Sequence, residues 1–524
     1  MNKKIVKKIK CTRSPDSRLV KIRTEGRGWG ILKTGVAALF ILVQLGIFIL
    51  LYLGFAYSIG WYLILSAVLS GLCVISVISS YKTGTTKVVW VLFLTVCFSF
   101  GYIGYLMSSE YVFFGLAKRR YGCIFARSEK FIGDNVIDEK LPLSVKHDAN
   151  FLWNTGKFKL YNDTLLNYFP SGVSMFDDVI AEISAAKSFV FIEFFIISDG
   201  KLLNRIFEIL SEKVAQGVDV RIIADGIGSH GTLSFGMRRK MKKAGIKLKF
   251  FNRIQARFTF ALNLRDHRKI IVVDGKCGYV GGCNLADEYI NAKRMYGYWK
   301  DVGLKLSGKA VDALTLQFLR QWEFVTRRSC KYEAYFNRYD KVSSDAAVIP
   351  YVDGKDYVSA IGKGVYDTII SGAREKLYIM TPYLVPDEQT FSAIAEKALA
   401  GVDVRIVIPD VPDKGYVYLV TLDYAERLAE TGVKVYKMRN AFVHAKLMLN
   451  ENCASVSSVN IDLRSYYNQF ENGVYTNDVN VLKDIESDFS FVFGASDTVE
   501  NDAVNKHHLR RFIASILKLF APLM

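Results

Sequence analysis

Proline, cysteine and histidine are all scarce in this chain, with nine, eight and six residues among 524. Few prolines and 51% hydrophobic residues exclude a disordered protein. Five of the cysteines lie beyond residue 117 without regular spacing, which is typical of reduced, unpaired thiols and not of a metal site. We therefore expect a protein without metal or cofactor, whose bulk lies in a reducing compartment.

Charged side chains are absent from residues 34–81, a run of 48 positions. A helix needs about 20 apolar residues to cross a bilayer, so this run predicts two spans, over residues 34–57 and 61–80. A third charge-free stretch, residues 88–109, is again long enough to span. The pattern predicts a multi-pass protein of the cell membrane.

Basic residues flank all three apolar segments. Residues 1–33 carry eleven Lys and Arg against two acids, which is +9 of the net charge of +18. Lys82 and Lys87 follow the second segment, and a basic cluster at 118–120 follows the third. Positive-inside counting would place all three groups in the cytoplasm, which three full spans cannot do. Either the third segment is re-entrant or interfacial, or it spans the membrane and the third basic cluster lies outside with the bulk of the protein. We favour lobes that lie in the cytoplasm.

The rest of the chain contains a long-period repeat. Residues 211–222 reappear as residues 395–406 at an offset of 184, and the His-x-Lys motif at His267 reappears at His444 at an offset of 177. Repeats of 20 to 50 residues would indicate a solenoid. A period near 180 residues instead predicts two homologous lobes.

Each lobe has the sequence pattern of alternating strands and helices. Residues 188–197 are a short apolar run typical of a buried strand, residues 202–214 have helical spacing, and residues 218–224 are a second strand. This order is a βαβ unit, so the predicted fold class is α/β, with N-terminal transmembrane helices ahead of the two lobes. The second lobe repeats the unit over residues 376–383, 391–399 and 402–408.

The repeated motif carries the candidate chemistry. His267 and Lys269, like their counterparts His444 and Lys446, are two residues apart, a spacing that puts both side chains on one face of a strand. An asparagine follows each motif, Asn284 and Asn460. These groups suit a phosphodiester. Lysines and amides would hold the phosphoryl oxygens, one imidazole would attack, and the other would protonate the leaving oxygen.

The pattern His267-x-Lys269-x4-Asp274, followed by Gly281-Gly282-x-Asn284, resembles the HKD motif of the phospholipase D superfamily. The whole layout is similar to that of the bacterial cardiolipin synthases, and the likeness covers nearly the whole chain. Further matching motifs are Ile192 to Ile196, Trp299-x-Asp301, Thr381-Pro382-Tyr383 and Asn460-x-Asp462-x-Arg464-Ser465.

The resemblance implies a phosphatidyltransferase that makes cardiolipin from two phosphatidylglycerol molecules through a phosphohistidine. It implies His267 as nucleophile and His444 as acid and then base, with Asp301 and Glu471 as carboxylate partners of the imidazoles. It also implies anionic phospholipids and the membrane as partners, and no nucleic acid.

The second motif departs from the family pattern. Glu451 stands where aspartate is usual, and Ser457 where glycine is usual, so the second half could be impaired. The key groups are nevertheless kept: His444, Lys446, Ser458 and Asn460. We group Asp274 and Glu451 with the catalytic motifs, although the motif acid suits a structural role at the strand end better than a catalytic one.

Several alternatives stay open at this stage. The chemistry also fits a hydrolase, a nuclease, or a transferase with another donor or acceptor, and the altered motif would fit a non-catalytic lipid-binding protein. Pro409-Asp410, at a strand end, fits a turn or a pocket rim equally. The C-terminal segment fits a packed or an interfacial helix equally. The predicted regions are a basic tail (1–33), a membrane region (34–117), a first lobe (118–340), a second lobe (341–505) and a basic amphipathic helix (506–524).

Overall fold

The computed structural model describes residues 42–47, 56–80, 84–108, 111–252, 264–354, 357, 359–499 and 508–521. The chain divides into an N-terminal unit, chiefly residues before 128, and a larger unit with two α/β lobes. The predicted basic tail and most of the predicted span at 34–57 lie outside the described residues.

The N-terminal unit is helical. Its helices are Ala56–Ile78, Gly84–Val96, Gly101–Ser108 and Tyr111–Ser128. Among the described residues, one helical stretch, Ile59–Ile78, is long and apolar enough to cross a membrane. Cys73 and Val77 on this helix pack against Leu94 and Tyr105.

The predicted third span is not a single helix, which corrects the sequence-based expectation. Its first helix ends at Val96, and a turn over residues 97–100 separates it from the helix that begins at Gly101. A helix of 13 residues is about 20 Å long, which is short of a hydrocarbon core of about 30 Å. The chain therefore has a break in this segment just before Gly101.

The first lobe is built on a seven-stranded sheet in the order β1-β9-β7-β6-β2-β3-β4. The strands of this part of the chain are β1 (Thr164–Phe169), β2 (Phe189–Phe194), β3 (Asp219–Asp225), β4 (Lys247–Phe251), β5 (Arg265–Asp266), β6 (Lys269–Val273), β7 (Cys277–Gly281), β8 (Tyr298–Lys300) and β9 (Gly303–Gly308). Its helices are Gly172–Ala185, Lys201–Ala215, Phe235–Lys243 and Val311–Thr326.

The second lobe repeats this sheet in the order β10-β19-β17-β16-β11-β13-β14-β20. Its strands are β10 (Val348–Asp353), β11 (Lys376–Met380), β12 (Leu384–Val385), β13 (Asp403–Pro409), β14 (Lys434–Met438), β15 (Ala441–Val443), β16 (Leu447–Asn450), β17 (Ala454–Ser457), β18 (Ile461–Asp462), β19 (Gln469–Thr476) and β20 (Ser496–Thr498). Its helices are Ile361–Gly372, Glu388–Leu399, Gly415–Ala429, Leu463–Tyr467 and Val479–Gly494.

The predicted βαβ unit is confirmed in both lobes. β2 is buried along its whole length and pairs in parallel with β3, as β11 does with β13. The intervening helix Lys201–Ala215 buries its apolar stripe of Leu202, Leu203, Ile206 and Leu210. It is followed by Gly217 with a φ of 91°, and the matching Gly401 has a φ of 90°. Both positions favour glycine because other residues are strained in this left-handed conformation.

The lobes exchange short strands. β5 of the first lobe pairs in parallel with β19 of the second, and β15 of the second lobe pairs in parallel with β8 of the first. An earlier segment also crosses over: the helix Leu143–Gly156 packs into the core of the second lobe. Its Asp148 accepts a hydrogen bond of 2.7 Å from Tyr475 of that lobe. The lobes are therefore interlocked and not simply consecutive in the chain.

The C-terminal helix, His508–Lys518, packs on the helix Gly415–Ala429 of the second lobe. Ala514 is fully buried in this contact. Basic side chains of the C-terminal helix face the other helix and form ion pairs: Arg510 with Glu426, Lys518 with Asp423, and Arg511 with Glu430. The apolar residues of the C-terminal helix are left exposed: Leu509, Phe512, Ile513 and Ile516.

Candidate active site

Each motif histidine is held in place by the opposite lobe. The backbone N–H of His267, just after β5, donates to the carbonyl of Phe470 at 2.8 Å. The backbone N–H of His444, just after β15, donates to the carbonyl of Lys300 at 2.7 Å. In each case the accepting residue immediately precedes a carboxylate, Glu471 or Asp301. The exchanged strands thus deliver each histidine to an acid of the other lobe.

The two imidazoles bind these acids through Nδ1. Nδ1 of His267 lies 2.8 Å from Oε2 and 3.0 Å from Oε1 of Glu471. Nδ1 of His444 lies 2.7 Å from Oδ2 of Asp301. Both carboxylates are fully buried. A carboxylate on one ring nitrogen orients the imidazole and fixes its tautomer, so neither lobe contains a complete histidine–acid pair by itself.

The motif lysines are buried beside their histidines. Nζ of Lys269 donates to the carbonyl of His267 at 2.6 Å. Nζ of Lys446 lies 2.9 Å from Nδ1 of His444 and also donates to the carbonyl of the same residue. The structure therefore brings together all four side chains that the sequence repeat singled out.

The two motif asparagines differ in their bonding. Asn284 is saturated: its Oδ1 accepts from the N–H of Ile196 at 3.1 Å, and its Nδ2 donates to the hydroxyl of Tyr289 at 2.6 Å. Asn460 hydrogen-bonds Asp462, but its buried Oδ1 has no hydrogen-bond partner in the described part of the chain. The second lobe thus offers an acceptor that the first does not.

Ser458 supports the first histidine from the second lobe. Its Oγ donates to Oε2 of Glu471, and the N–H of Asn472 donates back to this Oγ at 2.9 Å. The amide of Gln469 bridges on the other side, donating to Oε1 of Glu471 at 2.9 Å and accepting from Arg464 at 3.1 Å. Glu471 is therefore fixed by several donors at once.

Burial and positive charge set the protonation of the site. Burial and then the Lys269 ammonium lower the pKa of His267 well below its usual value, and burial and then Lys446 do the same for the pKa of His444. Burial also lowers the pKa of Lys269 to about 7 and that of Lys446 to about 8. His267 is consequently neutral near pH 7, as a nucleophile must be. His444 has to be protonated before it can act as an acid, and a bound phosphodiester anion favours that protonation.

Asp274 and Glu451, which the sequence analysis grouped with the catalytic motifs, bind backbone N–H groups at the ends of β6 and β16. Each lies seven positions beyond its histidine, so roughly 23 Å of largely extended chain separates the two residues. Asp274 accepts from the N–H groups of Lys187, Ser188 and Phe189. Glu451 accepts from those of Arg374, Glu375 and Lys376. Each carboxylate stabilises a turn by accepting its backbone N–H groups, and glutamate does this as aspartate does.

Sequence reasoning missed several residues of the site. Asn472 pairs with the backbone of Lys269, accepting from its N–H at 2.9 Å and donating to its carbonyl at 3.2 Å. The ring of Phe195 lies edge-on to His267 at 5.0 Å, and that of Tyr289 lies edge-on to His444 at 5.3 Å. Adjacency to Glu471 was the only signal for Asn472. The aromatic residues carry no motif signal that separates them from core residues.

The arrangement suits phosphoryl transfer through a histidine. In the described residues, no group of three or more His, Cys, Asp and Glu side chains is placed to hold a metal, and the cysteines there are free thiols. A neutral imidazole can attack a phosphodiester, a protonated one can protonate the leaving group, and the two ammonium groups beside them can stabilise the phosphoryl oxygens.

Comparison with known proteins identifies the family to which the chain is similar. A family model described as "Cardiolipin synthase, PLD-like domain" matches residues 179–296 and 366–492. A cardiolipin synthase of Listeria monocytogenes is 32% identical over 415 residues, covering 76% of this chain and 85% of that protein. Cardiolipin synthase 2 of Staphylococcus epidermidis is 31% identical over 483 residues, covering 88% and 98%.

A solved structure shares the fold. The crystal structure of phosphatidylserine synthase from Haemophilus influenzae superposes with a TM-score of 0.55 at 15% identity, covering 72% of this chain and 98% of that one.

An uncharacterised protein of Streptococcus mutans is 38% identical, covering 72% of this chain and 82% of its own length.

Proposed function

This chain belongs to the cardiolipin synthase family of phospholipase D-like phosphatidyltransferases, and we propose that it joins two phosphatidylglycerol molecules into cardiolipin and glycerol. The observation that carries the proposal is the crossed pair of histidines, each bound through Nδ1 to a buried carboxylate of the other lobe. Such a pair supplies one nucleophile and one proton carrier, which a two-step transfer requires.

In the first step, Nε2 of His267 attacks the phosphorus of the donor lipid. A phosphorus–nitrogen bond forms, the bond from phosphorus to the glycerol headgroup oxygen breaks, and His444, protonated on both ring nitrogens, gives that oxygen its Nε2 proton. Glycerol leaves, and the phosphatidyl group stays on His267. Lys269 and Lys446 stabilise the charge that develops on the phosphoryl oxygens.

In the second step, a hydroxyl of another phosphatidylglycerol attacks the phosphorus of the phosphatidyl group on His267. His444 takes the proton of this hydroxyl, the new phosphorus–oxygen bond forms, and the bond to His267 breaks. Cardiolipin is released, and both histidines return to their starting protonation states.

The surroundings of the two Nδ1 atoms support this division of roles. Nδ1 of His267 faces only a carboxylate, which keeps its proton there and leaves Nε2 with a lone pair for attack. Nδ1 of His444 lies near both the Asp301 carboxylate and the Lys446 ammonium. The carboxylate stabilises the protonated ring and the ammonium stabilises the neutral ring, which suits a group that gives and then takes a proton.

We also propose that the protein is a multi-pass membrane protein whose lobes lie in the cytoplasm. The helix Ala56–Ile78 carries outward-facing apolar side chains, including Trp61, Ile64 and Leu72, as a lipid-exposed helix does. The free cysteines of the lobes support a reducing compartment. Anionic phospholipids would then meet the site from the inner leaflet.

Reconstitution tests the proposed function. The purified full-length protein is placed in phosphatidylglycerol vesicles without added metal or nucleotide, and the lipid products are followed by mass spectrometry. We expect cardiolipin and glycerol in equal amounts, and no turnover for His267→Ala. Phosphatidic acid as the only product would replace the proposal with a hydrolase, and an inactive wild-type protein that still binds the lipid would favour a non-catalytic role.

A further inference from the structure

The two halves of the site come from a repeat, but they differ in the residue that lies level with the motif asparagine. The bridge between Ile197 and Leu285 in the first lobe corresponds to the pair Leu384 and Ile461 in the second. Ile196 and Tyr383 are therefore equivalent positions, each level with a motif asparagine. The first lobe has an apolar side chain there, and the second has a phenol.

A cation lies on this phenol. Nζ of Lys414 is 4.9 Å from the centroid of the Tyr383 ring, and the Tyr383 hydroxyl donates to Asp413 at 2.6 Å. In the described part of the chain, the Lys414 ammonium has a ring contact and no ion pair with a carboxylate. The contact holds the ammonium in place over the ring.

Lys414 follows β13, so it lies at the carboxyl end of a parallel strand, where ligands of α/β sheets bind. Its charge is close enough to the site to affect the pKa of both His444 and Asp462. The equivalent loop of the first lobe, residues 226–234, has no Lys, Arg, Asp or Glu. The additional cation is thus confined to the side of the general acid–base.

The second lobe also has a free acceptor. Among the residues that the structure describes, the Oδ1 atom of Asn460, a residue that is 6% exposed, has no hydrogen-bond partner, whereas the same atom of Asn284 accepts from Ile196. A buried carbonyl oxygen without a donor is costly, so a ligand hydroxyl that donates to it would be favoured.

We infer that Lys414 and Asn460 form the subsite for the acceptor lipid, Lys414 binding the acceptor's own phosphodiester and Asn460 binding a hydroxyl of its glycerol headgroup. This inference rests on the proposed function and adds the residues that select the acceptor. An acceptor phosphatidylglycerol carries an anion one glycerol away from the reacting hydroxyl, and the two motif lysines are already engaged with the donor phosphoryl group. A separate cation beside His444 meets that need.

Two reactions of the same enzyme separate acceptor binding from catalysis. Cardiolipin formation uses an acceptor with a phosphate, while exchange of labelled glycerol into phosphatidylglycerol uses the same donor step and an acceptor without one. Full-length wild type, Lys414→Gln, Lys414→Arg and the charge-matched surface control Lys242→Gln are compared in the same phosphatidylglycerol vesicles.

We expect Lys414→Gln to lower the rate of cardiolipin formation about tenfold or more, as loss of a charged hydrogen bond does. Glycerol exchange should stay within about twofold of the wild-type rate, Lys414→Arg should recover most cardiolipin formation, and Lys242→Gln should change neither rate. Equal loss of both reactions, or loss of neither, would overturn the inference. A wild-type protein that exchanges glycerol and forms no cardiolipin would overturn the proposed function and this subsite together.

Discussion

At the scale of single residues, the site depends on carboxylates that belong to the opposite half of the molecule. Glu471 accepts from His267, Ser458 and Gln469 together, so its negative charge and its position both contribute to the orientation of the imidazole. The acid acts through His267 and is a positioning residue.

Glu471→Gln should reduce kcat by roughly 10²-fold, because a neutral amide no longer stabilises the proton on Nδ1. KM for phosphatidylglycerol should change by less than about threefold. Steady-state kinetics in mixed micelles measure both values, with Glu486→Gln, at a partly exposed ion pair, as the control. An equal effect on KM with an unchanged kcat would assign Glu471 to substrate binding.

The lysine pKa values predict a falling rate at alkaline pH. Lys269, with a pKa of about 7, and Lys446, with a pKa of about 8, are charged below these values and lose their charge as pH rises. Because the charge holds the phosphoryl oxygens, kcat/KM should be high near pH 6.5 and fall through pH 7 to 8.

A bound anionic phosphodiester raises the lysine pKa values, so the corresponding fall in kcat should occur at higher pH than the fall in kcat/KM. Paired pH–rate profiles of kcat and of kcat/KM measure the two falls in rate. Each fall reports the titration of the interacting lysines together and not that of one lysine. A kcat/KM that increases steadily from pH 6.5 to 9 would contradict this assignment.

Glu451→Asp should leave the rate of cardiolipin formation within about twofold of wild type. The side chain caps three backbone N–H groups at a turn, and aspartate does the same at Asp274 in the first lobe. The effect is measured as the initial rates of the two proteins, after thermal melting has shown that both are equally well folded. A large gain in rate would instead show that glutamate impairs the second half of the site.

At the scale of elements, the local pattern predicted the βαβ units well because burial and periodicity are properties of adjacent residues. β2, β3 and the helix Lys201–Ala215 agree with the sequence within about one to three residues at most ends. The break at residues 97–100 was harder to predict, because those residues are as apolar as the helices on either side. Charge and hydropathy carry no information about such a turn.

The C-terminal helix turns its basic side chains toward the protein, unlike a basic amphipathic helix whose charges face a membrane surface. Its basic side chains pair with acids of the helix Gly415–Ala429, and Phe512 and Ile516 remain 63% and 45% exposed. We propose that this apolar face enters the lipid surface beside the lobes.

Phe512→Glu should therefore lower activity on phosphatidylglycerol vesicles by severalfold, since a charge opposes insertion of this face. Activity on a short-chain phosphatidylglycerol in solution should be unchanged. Ser515→Glu, with the same charge at the edge of the apolar face, is the control and should have a smaller effect. Equal losses on vesicles and on the soluble lipid would show that the substitution disturbs folding.

At the scale of the whole molecule, the repeat in the sequence revealed two lobes and one composite site, and the structure added how they interlock. The pairings of β5 with β19 and of β15 with β8 join residues about 140 to 200 positions apart. No local pattern encodes such long-range register. For the same reason, the resemblance indicated Asp301 and Glu471 as partners, but not which histidine each would bind.

The interlocked lobes also explain why the altered second motif is compatible with an intact site. Glu451 and Ser457 lie on the strands β16 and β17 or at their turn, whereas the groups around the imidazoles come from both lobes and are all present. The departure from the family pattern thus affects the scaffold of one lobe and leaves the shared centre unchanged.

The central claim is that His267 carries the phosphatidyl group and His444 moves the proton. It is tested most directly with a phosphatidyl ester of p-nitrophenol, whose leaving group needs no proton. His444→Asn should release one equivalent of nitrophenol per enzyme and stop, with the phosphatidyl group found on the His267 peptide by mass spectrometry. His267→Asn should release none. A burst from His267→Asn with none from His444→Asn would reverse the roles, and release without any adduct would contradict covalent transfer.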